Sequence, residues 1–172
     1  MKIRSYRPVD AVAVREVHRK AFEGRVEEAR LVDLLHASDA ARISLVAAEQ
    51  PGGRILGHAL FSPVELHKPS PDLLLLGLAP IGVLPEWQGR GIGSGLIRAG
   101  LVACLEAGYD AVVVLGKPDY YSRFGFQRAG DRGLGNEYGA DEHFMVVELR
   151  DGALDGAEGT VRYRPEFLEA GT

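Results

Sequence analysis

From Leu73 to Leu84 the chain carries no polar side chain; only Gly77, Pro80 and Gly82 break the apolar run. A stretch this continuous predicts a strand buried on both faces, with other strands beside it and packed elements over it. It falls well short of the ~20 residues that a membrane span needs. Glycines at 89, 91, 93 and 95 follow, and then a helical pattern from about Gly91 to Ala107. Ile92, Leu96, Ile97, Leu101, Cys104 and Leu105 fall on one face of that helix. Gly108 is well placed to stop it.

The remaining segments surround this strand–turn–helix unit. Lys2 to Arg7 alternates as a short strand, and Pro8 opens a helix whose apolar face is expected to carry Val9, Val12, Ala13, Val17, Ala21 and Phe22. A second helix is predicted from about Val26 to His36. Ile43 to Glu49 and Arg54 to His67 read as a hairpin turned by Pro51-Gly52-Gly53, and Pro69, Pro71 and Asp72 mark a loop. Asp110 to Leu115 is a β-branched strand, Pro118 to Phe124 a short helix, Phe144 to Leu149 a late strand and Val161 to Arg164 a last extended piece. No repeat or linker divides the 172 residues, which is the length of one domain with a real core. A single mixed α/β (α+β) domain over residues 1–172 is expected.

Charge and cysteine content narrow the function. The net charge of −4 argues against a polyanionic partner, and no Lys/Arg run alternates with aromatics, so no nucleic-acid surface is expected. Met1 to Tyr6 has no apolar signal region, and the lone Cys104 permits no intrachain disulfide, so a cytoplasmic location away from membranes is expected. Cys104 lies on the apolar helix face, where a thiol is usually inert.

The glycine-rich turn carries the chemistry. Glycine permits positive φ and close approach of a ligand to the main chain, and the N–H groups opening a helix have no internal partners. Such a turn suits a phosphate, and Arg90 adds a cation beside it. Other phosphate motifs do not fit. A G-x-G-x-x-G pattern starting at 89, 91 or 93 needs Gly at 94, 96 or 98, where Ser, Leu and Arg stand. Gly116-Lys117 is followed by Pro118, which excludes a P-loop.

Gln88-Gly89-Arg90-Gly91-Ile92-Gly93 matches the Q/R-x-x-G-x-G/A signature of the GNAT (GCN5-related N-acetyltransferase) superfamily, and Val83 to Trp87 resembles its lead-in. Tyr120-Tyr121-Ser122-Arg123-Phe124-Gly125-Phe126 resembles the family's Tyr-x-x-x-Gly-Phe element, in the right order downstream. Weaker similarity, at Gly57 to Pro63, Leu115 to Pro118 and Gly159 to Tyr163, points to the YhbS-like branch. The resemblance implies a central, mostly antiparallel mixed sheet of six to seven strands with about four helices. It also implies an N-acetyltransferase that uses acetyl-CoA as co-substrate and acts by direct transfer in a ternary complex. By the same resemblance, Gln88, Gly89, Arg90, Gly91, Ile92, Gly93 and Ser94 cradle the CoA pyrophosphate. Ile81, Gly82 and Val83 hold the pantetheine arm through their main chain. Tyr121 is the general acid, with Tyr120 as its alternative. Many relatives carry an Asn where this chain has Gly116-Lys117-Pro118-Asp119, so no Asn role transfers.

The general base stays open among Glu65, His67, Glu28 and a water chain. His143 beside Asp141 and Glu142 is rejected as a metal site, because neighbours on a strand point to opposite faces and no second His cluster exists. Trp87 is read as a packing anchor. A non-catalytic acyl-CoA sensor and a longer-chain acyltransferase are the alternative functions. The charge does not choose between a small-molecule amine and a protein lysine, nor between a monomer and a homodimer.

Overall fold

The computed structural model describes residues 1–50, 53–67 and 73–172. The expected turn at Pro51 and Gly52 and the loop with Pro69, Pro71 and Asp72 lie outside them. Nine strands form among the described residues: β1 (Lys2–Ser5), β2 (Ile43–Ala48), β3 (Ile55–His67), β4 (Leu75–Val83), β5 (Ala111–Leu115), β6 (Gln127–Arg128), β7 (Leu134–Asn136), β8 (Phe144–Glu148) and β9 (Gly159–Arg162). The helices are α1 (Ala11–Ala21), α2 (Glu27–Ala37), α3 (Ile92–Glu106), α4 (Pro118–Tyr121) and α5 (Pro165–Ala170). The fold is mixed α/β with a mostly antiparallel sheet. The chain divides into two compact units, Met1–Ser62 with Ala79–Gly100 and Pro165–Thr172, and Pro63–Leu78 with Leu101–Arg164.

In the first unit β1 pairs antiparallel with β2, and β2 with β3, placing Ile3 opposite Ala47 and Ile43 opposite Phe61. Val14 and Val17 of α1 and Leu31, Val32 and Leu35 of α2 are buried. This corrects the expected face of the first helix, since Val9 and Val12 are 80% and 74% exposed. Pro8–Asp10 forms a 3₁₀ turn before the α-helix begins, and its tighter winding shifts the phase of every residue after it. Asp10 turns inward there. Its carboxylate accepts two bonds from the Arg4 guanidinium, at 2.8 and 2.9 Å, and one from the Arg7 N–H at 2.8 Å. Arg4 is the main reason that this carboxyl titrates below its usual range. On α3, Gly100 has no room for a side chain, because an added Cβ would overlap the Phe61 ring.

In the second unit β4 begins parallel to β5, with Leu75 opposite Ala111. β5 pairs antiparallel with β8, and β8 with β6. β9 runs parallel to β7 and antiparallel to the end of β3. Val64, Leu75, Val113, Leu134, Phe144, Val146 and Val161 form its core. The helix α3 ends as expected at Gly108, whose φ is +91°. The Gly108 N–H bonds the Leu105 carbonyl at 3.0 Å and the Tyr109 N–H bonds that of Cys104 at 3.1 Å, a Schellman closure. Leu105, expected inside, is 44% exposed on this last turn.

Because Phe61 is fully buried, its ring cannot swing away from a new methyl group. Gly100→Ala is expected to destabilise the protein by ~1–3 kcal/mol in urea unfolding; an unchanged midpoint would contradict the close approach.

Candidate active site

The glycine turn belongs to the first unit. After β4 the Leu84 N–H bonds the Leu56 carbonyl at 2.8 Å, and Pro85–Trp87 makes a 3₁₀ turn. The Gln88 side-chain amide donates to the Val83 carbonyl at 3.0 Å, tying the turn back to the strand end. Gly89 and Gly91 take φ of +75° and +83°. A Cβ at either would meet nothing within 4 Å, so the backbone conformation demands glycine there, not packing. The helix α3 starts at Ile92, and its first bond runs from the Gly95 N–H to the Gly91 carbonyl at 3.0 Å. The N–H groups of Ile92, Gly93 and Ser94 precede that bond and have no acceptor within the helix. Gln88 to Gly91 are exposed. Arg90 lies with its guanidinium 4.7 Å from the centroid of the Trp87 ring, so Trp87 orients a cation at the turn. A row of backbone donors at the positive end of a helix, with a cation beside it, is a site for a phosphate group. Ile81, Gly82 and Val83 form the end of β4 that leads into this turn.

Tyr121 lies in the second unit, at the end of α4. It is 7% exposed and packs edge-on against Tyr120 at 5.0 Å and Phe126 at 5.5 Å between centroids. Burial, and then the neighbouring Tyr120, push its phenol up to about 12. It is therefore a proton-bearing donor at neutral pH. A Cβ at Gly116 would overlap the Tyr121 ring, so this glycine makes room for the tyrosine. Tyr120 is half-buried, with the Arg123 guanidinium 4.6 Å from its ring centroid.

A chain of imidazoles in the first unit was not visible in the sequence. His36 Nδ1 lies 2.9 Å from the Val32 carbonyl, His36 Nε2 3.1 Å from Ser44 Oγ, Ser44 Oγ 2.8 Å from His58 Nε2, and His58 Nδ1 2.8 Å from His18 Nε2. A carbonyl only accepts, so His36 bears its proton on Nδ1 and accepts from the Ser44 hydroxyl on Nε2. Ser44 then accepts from His58 Nε2–H, and His58 Nδ1 accepts from His18 Nε2–H. One neutral arrangement satisfies every bond and leaves His18 Nδ1 as a bare lone pair. That atom is buried and has no partner among the described residues. A Cβ at Gly82 would stand 2.9 Å from it. Desolvation pushes His18 down to about 3. Burial, then its two histidine neighbours, hold His58 well below its ordinary value.

Glu65 and His67 are exposed on β3, opposite Arg162 and Thr160 of β9. Glu28 is buried on α2 and accepts from Arg25 at 2.8 Å. The Cys104 thiol is buried and pushed up to about 12, which keeps it from acting as a thiolate. Asp141–His143 is a 3₁₀ turn before β8 where a strand was expected.

Fold, glycine turn and tyrosine element together define an acyl-transferring enzyme of the GNAT type. A family model described as "Acetyltransferase (GNAT) domain" matches residues 2–129, and the chain belongs to that family. It is an acyl-CoA-dependent N-acetyltransferase. The chain is 38% identical over 168 residues to YhbS of Escherichia coli K12, an N-acetyltransferase described as uncharacterized, covering 97% of this chain and 98% of that one. The crystal structure of Escherichia coli YhbS in complex with CoA superposes with a TM-score of 0.90 at 37% identity, covering 97% and 91% of the two chains. A GNAT acetyltransferase from Brucella melitensis, crystallised with acetyl-CoA, gives 0.79 at 36% identity and covers 96% and 97%.

The neutral histidines make stability depend on pH. In the unfolded chain an imidazole takes its proton near pH 6.5, whereas folded His18 and His58 resist it far below that. Their folded pKa is depressed, so the unfolded state binds more protons as the pH drops. The stability they confer is complete above pH 6.5 and is lost on acidification. Urea unfolding is expected to weaken between pH 6.5 and 4.5, with uptake of about two protons per molecule; a flat profile over that window would contradict the buried neutral pair.

Proposed function

We propose that the protein transfers an acetyl group from acetyl-CoA directly to a primary amine within a ternary complex, as one catalytic domain in the cytosol. The observation that carries this reading is the turn at Gly89 and Gly91. Its left-handed residues are open to solvent and stand before the free N–H groups of α3. In this proposal the amides of Gly89 to Ser94 hold the pyrophosphate with Arg90. Gln88 contributes by fixing the turn on Val83. The backbone of Ile81, Gly82 and Val83 binds the pantetheine arm and polarises the thioester carbonyl, where one well-placed donor is worth ~3 kcal/mol of barrier. The single buried thiol and the acidic balance suit a reducing cytosol.

Tyr121 is the proposed donor to the departing sulfur. A CoA thiol has a pKa near ~8.5, well below the value of about 12 that burial gives this phenol. Full transfer of the proton is therefore uphill by about 5 kcal/mol. Tyr121 serves as a hydrogen-bond donor that shares its proton as the C–S bond breaks, which sets a moderate size for its effect.

Calorimetric titration with acetyl-CoA is expected to give micromolar binding that Gly91→Glu abolishes and Gly91→Ala retains. Alanine imposes the same strain at positive φ without bulk or charge. Absence of binding to the wild type would end the assignment of the turn. Tyr121→Phe is expected to lower kcat at least tenfold with acetyl-CoA affinity nearly unchanged; full turnover would remove Tyr121 from the mechanism.

A further inference from the structure

We propose that His18, His58, Ser44 and His36 form a proton relay, with His18 Nδ1 at its inner end taking the proton that the acceptor amine gives up and His36 holding the charge at its outer end. The inference rests on the acetyltransferase reading and names a base that the reading lacks. Two independent features support it. The hydrogen bonds run in one sense from His18 to His36, so each donor already points the way a proton would move. The lone pair left over lies at the inner end, buried and unpartnered among the described residues, against Gly82. A buried acceptor without a partner is costly to a fold and calls for a use. Gly82 is also the middle residue of the strand segment proposed to hold the pantetheine arm. Its lack of a side chain is what gives His18 Nδ1 its place there.

The relay accounts for every proton. An ammonium and acetyl-CoA become an amide, CoA thiol and one proton. The ammonium first passes a proton to His18 Nδ1, directly or through one water. His18 Nε2–H moves to His58 Nδ1, His58 Nε2–H to Ser44 Oγ, and the Ser44 hydroxyl proton to His36 Nε2. The freed amine forms the N–C bond, the C–S bond breaks with its electron pair on sulfur, and a second proton from the attacking nitrogen completes the thiol. His18 and His58 are too deeply buried to keep a charge, so the shift along the chain is concerted. The charge rests on His36, which is only partly buried and whose two N–H groups then bond Ser44 Oγ and the Val32 carbonyl. When the products leave, the proton returns along the same chain from His18 Nδ1 to water, which restores the starting tautomers. Burial lowers the affinity of His36 for a proton, and the Val32 carbonyl and then Asp33 on α2, which pairs with Arg15 of α1 at 2.8 Å, offset part of that. Tyr6, after β1, stacks on His36 at 4.0 Å and completes its surroundings. The three imidazoles do not make a metal site; among the described residues no group of three or more His, Cys, Asp and Glu side chains is placed to hold an ion.

His58, Ser44 and His36 are positioning residues that act through His18, so the test uses readouts that packing alone would not move. His36→Gln keeps a donor for Val32 and an acceptor for Ser44 but binds no proton. Ser44→Ala breaks the chain without touching an imidazole and serves if His36→Gln does not fold. Wild type and variants are compared for acetyl-CoA affinity by calorimetry. Their kcat/KM is compared from pH 6 to 10 with the fastest of three probes: spermidine, kanamycin and N-blocked lysine. The expected result is affinity within twofold of wild type and kcat/KM at least tenfold lower at pH 7. That deficit should close as the pH approaches the pKa of the amine. Matching pH profiles would overturn the relay. A wild type that neither binds acetyl-CoA nor acetylates any probe fails the acetyltransferase reading instead. The relay falls with it; where acetyl-CoA binds but no probe is acetylated, the ring ¹⁵N spectrum of the whole protein decides. His18 and His58 protonated on Nε2, with His36 protonated on Nδ1, support it; an Nδ1–H form of His18 or His58 overturns it.

Discussion

Gly82 has no side chain, and the imidazole of His18 uses the space. Around that contact one line of hydrogen bonds joins α1 through His18, β3 through His58, β2 through Ser44 and α2 through His36. Four elements of the first unit are thereby held together by polar side chains, of which His18 and His58 are fully buried. Such a network stabilises only when every member is satisfied, because a low dielectric magnifies both the bonds made and those left unmade. One atom is left over, and it faces the strand end that leads into the glycine turn. A side chain at position 82 would displace the ring and with it the alignment of the other three groups.

In the proposed mechanism the catalytic chemistry depends more on main chain than on side chains. Peptide N–H groups at the start of α3 and along the end of β4 are fixed before any ligand arrives, so they need no reorganisation when charge develops. Glycine at 89 and 91 admits the left-handed conformation that aims those groups outward. Gln88 and Trp87 do the remaining local work, one by bonding the Val83 carbonyl and the other by steering Arg90. Tyr121 contributes a buried hydroxyl whose raised pKa keeps its proton in place and limits how far that proton can move.

Contiguity decided what the sequence revealed. The glycine turn, the buried strand before it and the helix after it were legible because each is written in one short stretch, and the Gly108 stop fell where the Schellman bonds form. The register of α1 was not legible, since the 3₁₀ turn at Pro8–Asp10 changes the winding and sends Val9 and Val12 to solvent. β6 and β7 have two and three residues, too few to show a period of two. α5 is a single short segment at Pro165–Ala170 that its own pattern did not announce. The histidine chain was hidden for a different reason. Residues 18, 36, 44 and 58 meet only through tertiary packing, and the one local hint was His58 inside the apolar run Ile55 to Phe61.

The most direct test of the main-chain site is a backbone amide spectrum of the ¹⁵N-labelled protein titrated with acetyl-CoA. The largest shifts are expected at Gly89 to Ser94 and at Ile81 to Val83, with the Ile92, Gly93 and Ser94 amides moving in the direction of new hydrogen bonds to phosphate. Binding that leaves these amides unmoved, and shifts another surface instead, would contradict the assignment of the turn as the cofactor cradle.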